Sequence, residues 1–383
     1  MKHLLFILIL ASAAVARADN NARLHGVVRA VTHDQPLRGY ISWNRHLFRP
    51  EVFHAVKLEN AYAHYFVPKA GEKSPGVHPR LPVHAFECRF GDIEAARPRG
   101  NQLLEVQVRG GLTTVVRLRE EVKVYVEQKD GSRRYVPWNA IEEILFTEPP
   151  ADAPPSAHAP IAGIVRAGGN SYKGIVQWNE KRTTEHTLDG KTTAEEVNIP
   201  FKNVRAIVKE DNRCLVYLKS GNQVLLSNAV DPGQGIHVHV PGLGRVHVPW
   251  EEFASFEALP PGETIEVEEA RAPERLRGVV EVATGERVEG IIAYDLDEAL
   301  DIEMLDAKTG RVTYIIPLLF ISEIEPLDRN RSRVTLVDGR KLVLGDLTDV
   351  NEQHDGVLIF RADAPTPRYF PWRSIRRISL LRE

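Results

Sequence analysis

The sequence predicts an all-β protein built from three tandem repeats. Three observations lead there. Apolar residues alternate with a period of two in segments such as GIVQWN (174–179), the signature of a strand with one buried face. Glycine and proline are frequent, at 27 and 25 residues, which favours many turns over long helices. A Pro-Trp step also returns three times, in YVPWNAIEEILF (135–146), HVPWEEFASFEAL (247–259) and YFPWRSIRRISLL (369–381).

Taken from the N-terminus, residues 1–18 carry a basic start at Lys2, the apolar run LLFILILASAAVA, and alanines at 16 and 18. This is the pattern of a secretory signal peptide with an A-x-A cleavage site. Its removal leaves 47 basic against 52 acidic residues, a balance of −5. That balance supplies no drive toward phosphate backbones, so nucleic acid is not an expected partner. No later apolar run approaches the roughly 18 residues of a spanning helix, so the mature chain is expected to have no transmembrane segment and to be periplasmic or secreted. Cys88 and Cys214 do not form a disulfide framework and are expected to be buried thiols.

Each repeat opens alike. LHGVV (24–28), IAGIV (161–165) and LRGVV (276–280) are each followed by a second glycine-bearing strand, GYISWN (39–44), GIVQWN (174–179) or GIIAYD (290–295). The shared pattern G-x-[IV]-x-[WY]-[ND] reads as a strand whose aromatic caps a core face. A weaker repeat lies inside each: FGDIEAA (90–96), IPFKNVRAI (199–207) and IPLLFISEI (316–324) match the Pro-Trp segments in layout. Phe90, Trp138, Phe201, Trp250, Leu318 and Trp372 then align, giving six half-modules.

The Pro-Trp segment explains its own conformation. Proline removes a ladder donor and ends strand pairing. The apolar residues that follow fall at every third position, as in Trp138, Ile141 and Ile144, which suits one turn of 3₁₀ helix before a short final strand. Hairpins with glycine-bearing turns are expected at 107–118, 215–226 and 334–344.

Five short strands with a 3₁₀ turn before the last resemble the SH3-like or Sm-like small β-barrel, and the "VPW..I..I" ending is similar to that of PRC-barrel domains and of repeats in uncharacterised secreted bacterial proteins. The resemblance implies three tandem modules, each a pair of small SH3-like barrels, and it carries no functional residue. Module 1 spans 19–148 with a long insertion at 45–88, a Pro-rich linker covers 149–160, module 2 covers 161–259, a second linker 260–275, and module 3 covers 276–383. The insertion holds His46, His54, His64, His78 and His84 and reads either as a diverged terminal repeat or as a binding loop. The competing architecture is a six-bladed β-propeller, which would suit a carbohydrate-active enzyme with paired carboxylates.

Two clusters carry candidate chemistry. In GIHVHVPGLGRVHVPW (235–250), pairing valine with valine places His237, His239 and His247 on one outer face. Three imidazoles there could hold Zn²⁺ or Cu²⁺, and the plain alternative is three solvated histidines. In YDLDEALDIE (294–303), Asp295, Asp297, Glu298 and Asp301 could offer oxygen ligands to Ca²⁺, or form a solvated acidic turn. G-x-S-x-G, H-E-x-x-H and P-loop signatures do not occur. The sequence therefore points to a noncatalytic extracytoplasmic binding or scaffold protein with a protein or cell-envelope partner, and the periplasmic metal-binding protein stands as the alternative.

Overall fold

The computed structural model describes residues 22–66, 85–100, 102–150, 159–179, 181–211, 213–227 and 235–382. The signal segment, most of the Pro-rich linker, and the part of the insertion bearing His78 and His84 lie outside the described residues. The chain is all-β, as its alternation requires, and its strands form two large antiparallel sheets.

The first ten strands are β1 (His25–Ala30), β2 (Leu37–Trp43), β3 (Val52–Lys57), β4 (Ala85–Arg89), β5 (Ile93–Pro98), β6 (Leu103–Val108), β7 (Thr113–Leu118), β8 (Val124–Glu127), β9 (Arg133–Val136) and β10 (Ile141–Thr147). The next are β11 (Ile161–Ala167), β12 (Asn170–Trp178), β13 (Thr187–Lys191), β14 (Glu196–Pro200), β15 (Val204–Glu210), β16 (Arg213–Leu218), β17 (Gln223–Ser227), β18 (Ile236–Val240), β19 (Gly244–Val248) and β20 (Phe253–Ala258). The last are β21 (Arg277–Val282), β22 (Arg287–Tyr294), β23 (Met304–Thr309), β24 (Val312–Pro317), β25 (Ile321–Pro326), β26 (Arg331–Leu336), β27 (Lys341–Gly345), β28 (Val357–Phe360), β29 (Arg368–Phe370) and β30 (Ile375–Leu381).

The aligned aromatic and leucine positions open the turns that the repeat predicts. One turn of 3₁₀ helix starts at each of Phe90, Trp138, Phe201, Leu318 and Trp372, directly before β5, β10, β15, β25 and β30. Proline precedes four of the five. At the fifth, Arg89 stands in the proline position and its guanidinium grips Asp92 through two bonds of 2.9 and 2.7 Å. The Trp250 copy keeps the i→i+3 bonds, Glu252 N to Pro249 O at 3.1 Å and Phe253 N to Trp250 O at 3.2 Å, in a turn rather than a 3₁₀ helix.

The G-x-[IV]-x-[WY]-[ND] motif is also accounted for. Its aromatic is core: Trp43, Trp178 and Tyr294 are all buried. Its Asn or Asp takes a left-handed backbone, with φ of 52° at Asn44, 54° at Asn179 and 47° at Asp295, the region short polar side chains tolerate best after glycine. Its glycine lies so close to the neighbouring strand that a Cβ would come within 2.4 Å of a backbone carbonyl oxygen at Gly39, Gly174 and Gly290 alike.

Pairing departs from the expected tandem barrels. The sheets are not closed barrels, and they are continuous ladders rather than the separate blades of a propeller. Strands β11 to β20 run in the order β14-β13-β17-β16-β15-β20-β11-β12-β18-β19, and β21 to β30 repeat it as β24-β23-β27-β26-β25-β30-β21-β22-β28-β29. Each set holds two five-strand sequence repeats, and the first two strands of each repeat pair with the last three of the other. Thus β11 and β12 join β18 to β20, while β16 and β17 join β13 to β15. The two copies of the fifth strand then meet, Ile207 opposite Phe256 and Ile324 opposite Ile378. Local signals fix strands and turns but not partners, and both repeats carry the same signals, so exchange leaves every local preference satisfied.

Packing delineates two compact units, one of residues 1–51, 122–269 and 311–313, the other of residues 52–121, 270–310 and 314–383. The first contains β10-β1-β2-β8-β9 and all of β11 to β20; the second contains β4-β3-β7-β6-β5 and nearly all of β21 to β30. In the first unit Trp178 meets Phe201, Trp250, Phe253 and Phe256, with ring centroids 5.2 to 6.3 Å apart. In the second, Phe53 packs edge-on against Phe86 and Phe90, and Tyr294 against His354 and Trp372. The insertion narrows to the β3–β4 connection, since 52–57 and 85–89 are regular paired strands. Its first turn lays Tyr62 and Tyr65 on Phe360 and Phe66 on Tyr369.

Candidate functional site

The histidine hairpin folds in the register that valine pairing requires. Val238 faces Val246, Ile236 faces Val248, and His237 faces His247, with the two imidazoles stacked at 4.7 Å. His239 lies opposite Arg245. The three histidines share a face, but that face is covered, which corrects the expectation of an outer surface: His239 is only 5% exposed. The cover comes from elsewhere in the first unit. Phe48 and Ala22 pack with Ile175 on the neighbouring strand, and Ile265 and Val267 of the 260–275 linker join them.

The covering turn brings a carboxylate. Buried Glu51 accepts hydrogen bonds from the backbone N–H groups of Leu47 (2.6 Å) and Phe48 (3.1 Å), and from Arg182 Nε at 2.9 Å. His46 Nδ1 lies 3.5 Å from the same carboxylate. Burial opposes its ionisation, yet His46 and Arg182 hold the carboxyl well below the usual range. Burial works the other way on the imidazoles. It pulls His239 down to about 4 despite nearby Glu51, and pulls His237 well below its ordinary value with help from Arg245.

The same turn recurs with the same bonding. His186 Nδ1 accepts from the N–H groups of Arg182 and Thr183, and Glu303 Oε2 from those of Ala299 and Leu300. In the second unit this turn is the acidic stretch, and it is no solvated turn: Asp295, Asp297, Glu298, Asp301 and Glu303 are all buried. Lys57 of β3 enters the cluster, with Nζ 2.7 Å from Glu303 Oε1, 3.0 Å from Asp297 Oδ2, and donating to Asp297 O at 3.1 Å. Burial opposes the ammonium charge, but Glu303 and Asp297 more than offset it and raise its pKa. Burial raises Asp297 to about 6 although Lys57 pulls it down, and pushes Asp295 and Glu298 well above the carboxylate range. Asp301 is held by Arg271, and Tyr294 donates its hydroxyl proton to the Asp349 carbonyl. Among the described residues, no group of three or more His, Cys, Asp or Glu side chains is placed to hold a metal ion. Of the acids that the sequence singles out, Asp297 meets the Lys57 ammonium, Asp301 meets Arg271, and Asp295 accepts from the Asp355 N–H and lies 3.3 Å from His354 Nδ1.

A cleft of about 930 Å³ lies in the first unit where the β15–β20 ladder ends. That ladder has three pairs, from Ala206–Glu257 to Val208–Ser255. Beyond it Lys209 and Asp211 line one side, and Trp250, Glu251 and Phe253 the other. Trp250 is half-buried and stacks on Phe253 at 5.1 Å with the rings 15° from parallel. Lys209 Nζ sits 5.0 Å from the Trp250 ring centre and donates to the Trp250 carbonyl at 2.6 Å. This cation–π and hydrogen-bond pair fixes the ammonium at the rim of an apolar wall. The equivalent tryptophans are disposed differently: Trp138 packs edge-on against Trp43, and Trp372 is buried with the His354 ring stacked 4.0 Å from it. Sequence reading found Trp250 through the repeat but not Lys209, which has no motif around it.

Comparison with known proteins finds no matching family model, no matching curated protein and no matching solved structure.

Proposed function

We propose that this is a noncatalytic extracytoplasmic binding protein, and that the Trp250 cleft is where it holds a protein or cell-envelope partner. The observation that carries the reading is the cleft itself. It is a shallow, largely open depression with an aromatic wall and a few polar groups at its rim, a shape that suits a side chain on the surface of a macromolecular partner. An apolar ring or side chain of the partner would lie against Trp250 and Phe253. Its polar groups would meet the ammonium of Lys209 and the carboxylates of Asp211 and Glu251. The export signal read at 1–18 supports a place outside the cytoplasm, and the charge balance of −5 after its removal favours neither nucleic acid nor anionic lipid.

Affinity capture from a native envelope fraction tests this with three proteins: the intact mature chain, Trp250→Ala, and Lys209→Gln. The reading expects a discrete partner with the intact chain, lost with Trp250→Ala and weakened with Lys209→Gln. Equal recovery by all three would move the site away from the cleft.

A further inference from the structure

We propose that the partner held at the Trp250 cleft is a protein segment that combines apolar side chains with a basic one. The apolar side chains lie across the outer face of β15, β16 and β17, and the Lys or Arg meets Asp211 and Glu251. This rests on the reading of the cleft as a binding site and names the chemistry that fills it.

The cleft continues beyond its rim as an apolar row. Val208 and Ser255, both in its lining, are direct cross-strand partners. Val208 also faces Leu215 on β16, and Leu215 faces Leu225 on β17. Direct partners in an antiparallel ladder project to the same side of the sheet. At about 4.8 Å per strand, the row Ser255–Val208–Leu215–Leu225 spans about 14 Å. Val208 and Leu215 are half-buried, and Leu225 is 39% exposed.

The sister repeats show that the fold does not need this row. Counted from Phe90, Phe201 and Leu318, which open equivalent 3₁₀ turns, Val208 occupies the position of Arg97 and Glu325. Arg97 faces Glu105 and Glu325 faces Arg333, and each of those pairs is an ion pair. The same count sets Lys209 where the sisters have Pro98 and Pro326. The apolar pair in place of an ion pair, the cation in place of proline, and the half-buried Trp250 thus fall in one copy and at one place. A contiguous apolar row rimmed by charge is the composition of a contact surface.

Charge selects what lies at the cleft end of the row. The Lys209 ammonium is held by the carbonyls of Trp250 and Glu251, at 2.6 and 3.3 Å. The two carboxylates of the lining, Asp211 and Glu251, are exposed, and neither forms an ion pair among the described residues. Glu210, the next residue on β15, faces Arg213. The adjoining residues 212 and 228–234 lie outside the described residues, and their sequence holds Asp231 but no Lys, Arg or His. Two lining carboxylates against one engaged ammonium attract a basic side chain and repel an acidic one.

The test pans a phage-displayed library of random peptides over the full mature chain and measures the enriched peptides by fluorescence anisotropy. Circular dichroism and thermal melting confirm that each variant folds. The proposal expects peptides in which a large apolar residue stands beside Lys or Arg, with binding that weakens as salt rises. It expects about tenfold weaker binding to Leu215→Arg, and again to the double variant Asp211→Asn, Glu251→Gln. Val343→Arg, at the Leu225 position of the last repeat, should bind as the unaltered chain does. Peptides without a basic residue, or binding that Leu215→Arg leaves unaltered, would overturn the proposal, and loss with Trp250→Ala would then keep the cleft as a site for another partner. Binding that Trp250→Ala leaves unaltered would refute the cleft reading and the proposal with it. An absence of enriched peptides would overturn the proposal alone, since capture from the envelope fraction decides the cleft separately.

Discussion

Replacing Lys57 with methionine keeps the length of the side chain and removes the ammonium that Glu303 and Asp297 contact at 2.7 and 3.0 Å. Both carboxylates are buried, so the loss leaves negative charge in the interior without its counter-ion. Removing one partner of a buried pair costs about 3–5 kcal/mol. The pH dependence follows from the carboxyls around it. Asp297 rises from an ordinary 3.8 to about 6 in the fold, which penalises its ionised form by about 3 kcal/mol. A group raised in this way contributes stability that is complete below its unfolded value near 4 and is lost as pH climbs through about 6. In the variant, protons take over the role of the ammonium at low pH. Hydrogen exchange of the β22 and β23 amides, read at pH 5 and pH 8 after correction for intrinsic rates, should show a loss of about 3–5 kcal/mol at pH 8 and a clearly smaller one at pH 5. A loss below about 1 kcal/mol at pH 8, or a larger loss at pH 5, would refute the reasoning. Adding Asp297→Asn should recover part of the stability by removing the stranded charge.

The first unit should respond to pH in the opposite sense. His239 falls from an ordinary 6.5 to about 4, so its contribution is present above 6.5 and is lost as pH drops through 4, about 3 kcal/mol in all; exchange at β18 should report it, and His239→Leu should abolish it. At Asn179, with φ of 54°, valine should cost about 1–2 kcal/mol in urea unfolding, while glycine should be tolerated within a few tenths. Burial pushes the Cys214 thiol up to about 12 and the Cys88 thiol well above its ordinary value, so a thiolate-specific reagent should label neither until the protein unfolds. Labelling of either thiol in the native state would contradict the burial.

What the sequence reveals about this fold is what local chemistry controls. Proline followed by an aromatic fixes where strands end and turns begin, and the Asn or Asp of the second-strand motif marks the left-handed residue at 44, 179 and 295. Valine alternation sets the β18–β19 register. Partner choice is a different matter. The exchange of β11 and β12 against β16 and β17 leaves no local trace, because both repeats offer matching strands to either set of partners. Burial of the polar clusters is hidden for a related reason. Period-two alternation identifies one buried face of a strand, and the second face becomes buried only when remote chain covers it. Ile175, paired with His239, is packed against by Phe48 and Ile265, and Asp297 is met by Lys57 from 240 residues away. No spacing rule reaches that far.

The binding reading is tested most directly by a photoactivatable residue at Ser255, inside the cleft, compared with one at Asp338, on an exposed turn of the other unit. After irradiation in a native envelope fraction, the account predicts a discrete crosslinked species from position 255 that excess unlabelled protein competes away and Trp250→Ala removes, with no such species from position 338. Identical patterns from the two positions, or no competed species at 255, would contradict it.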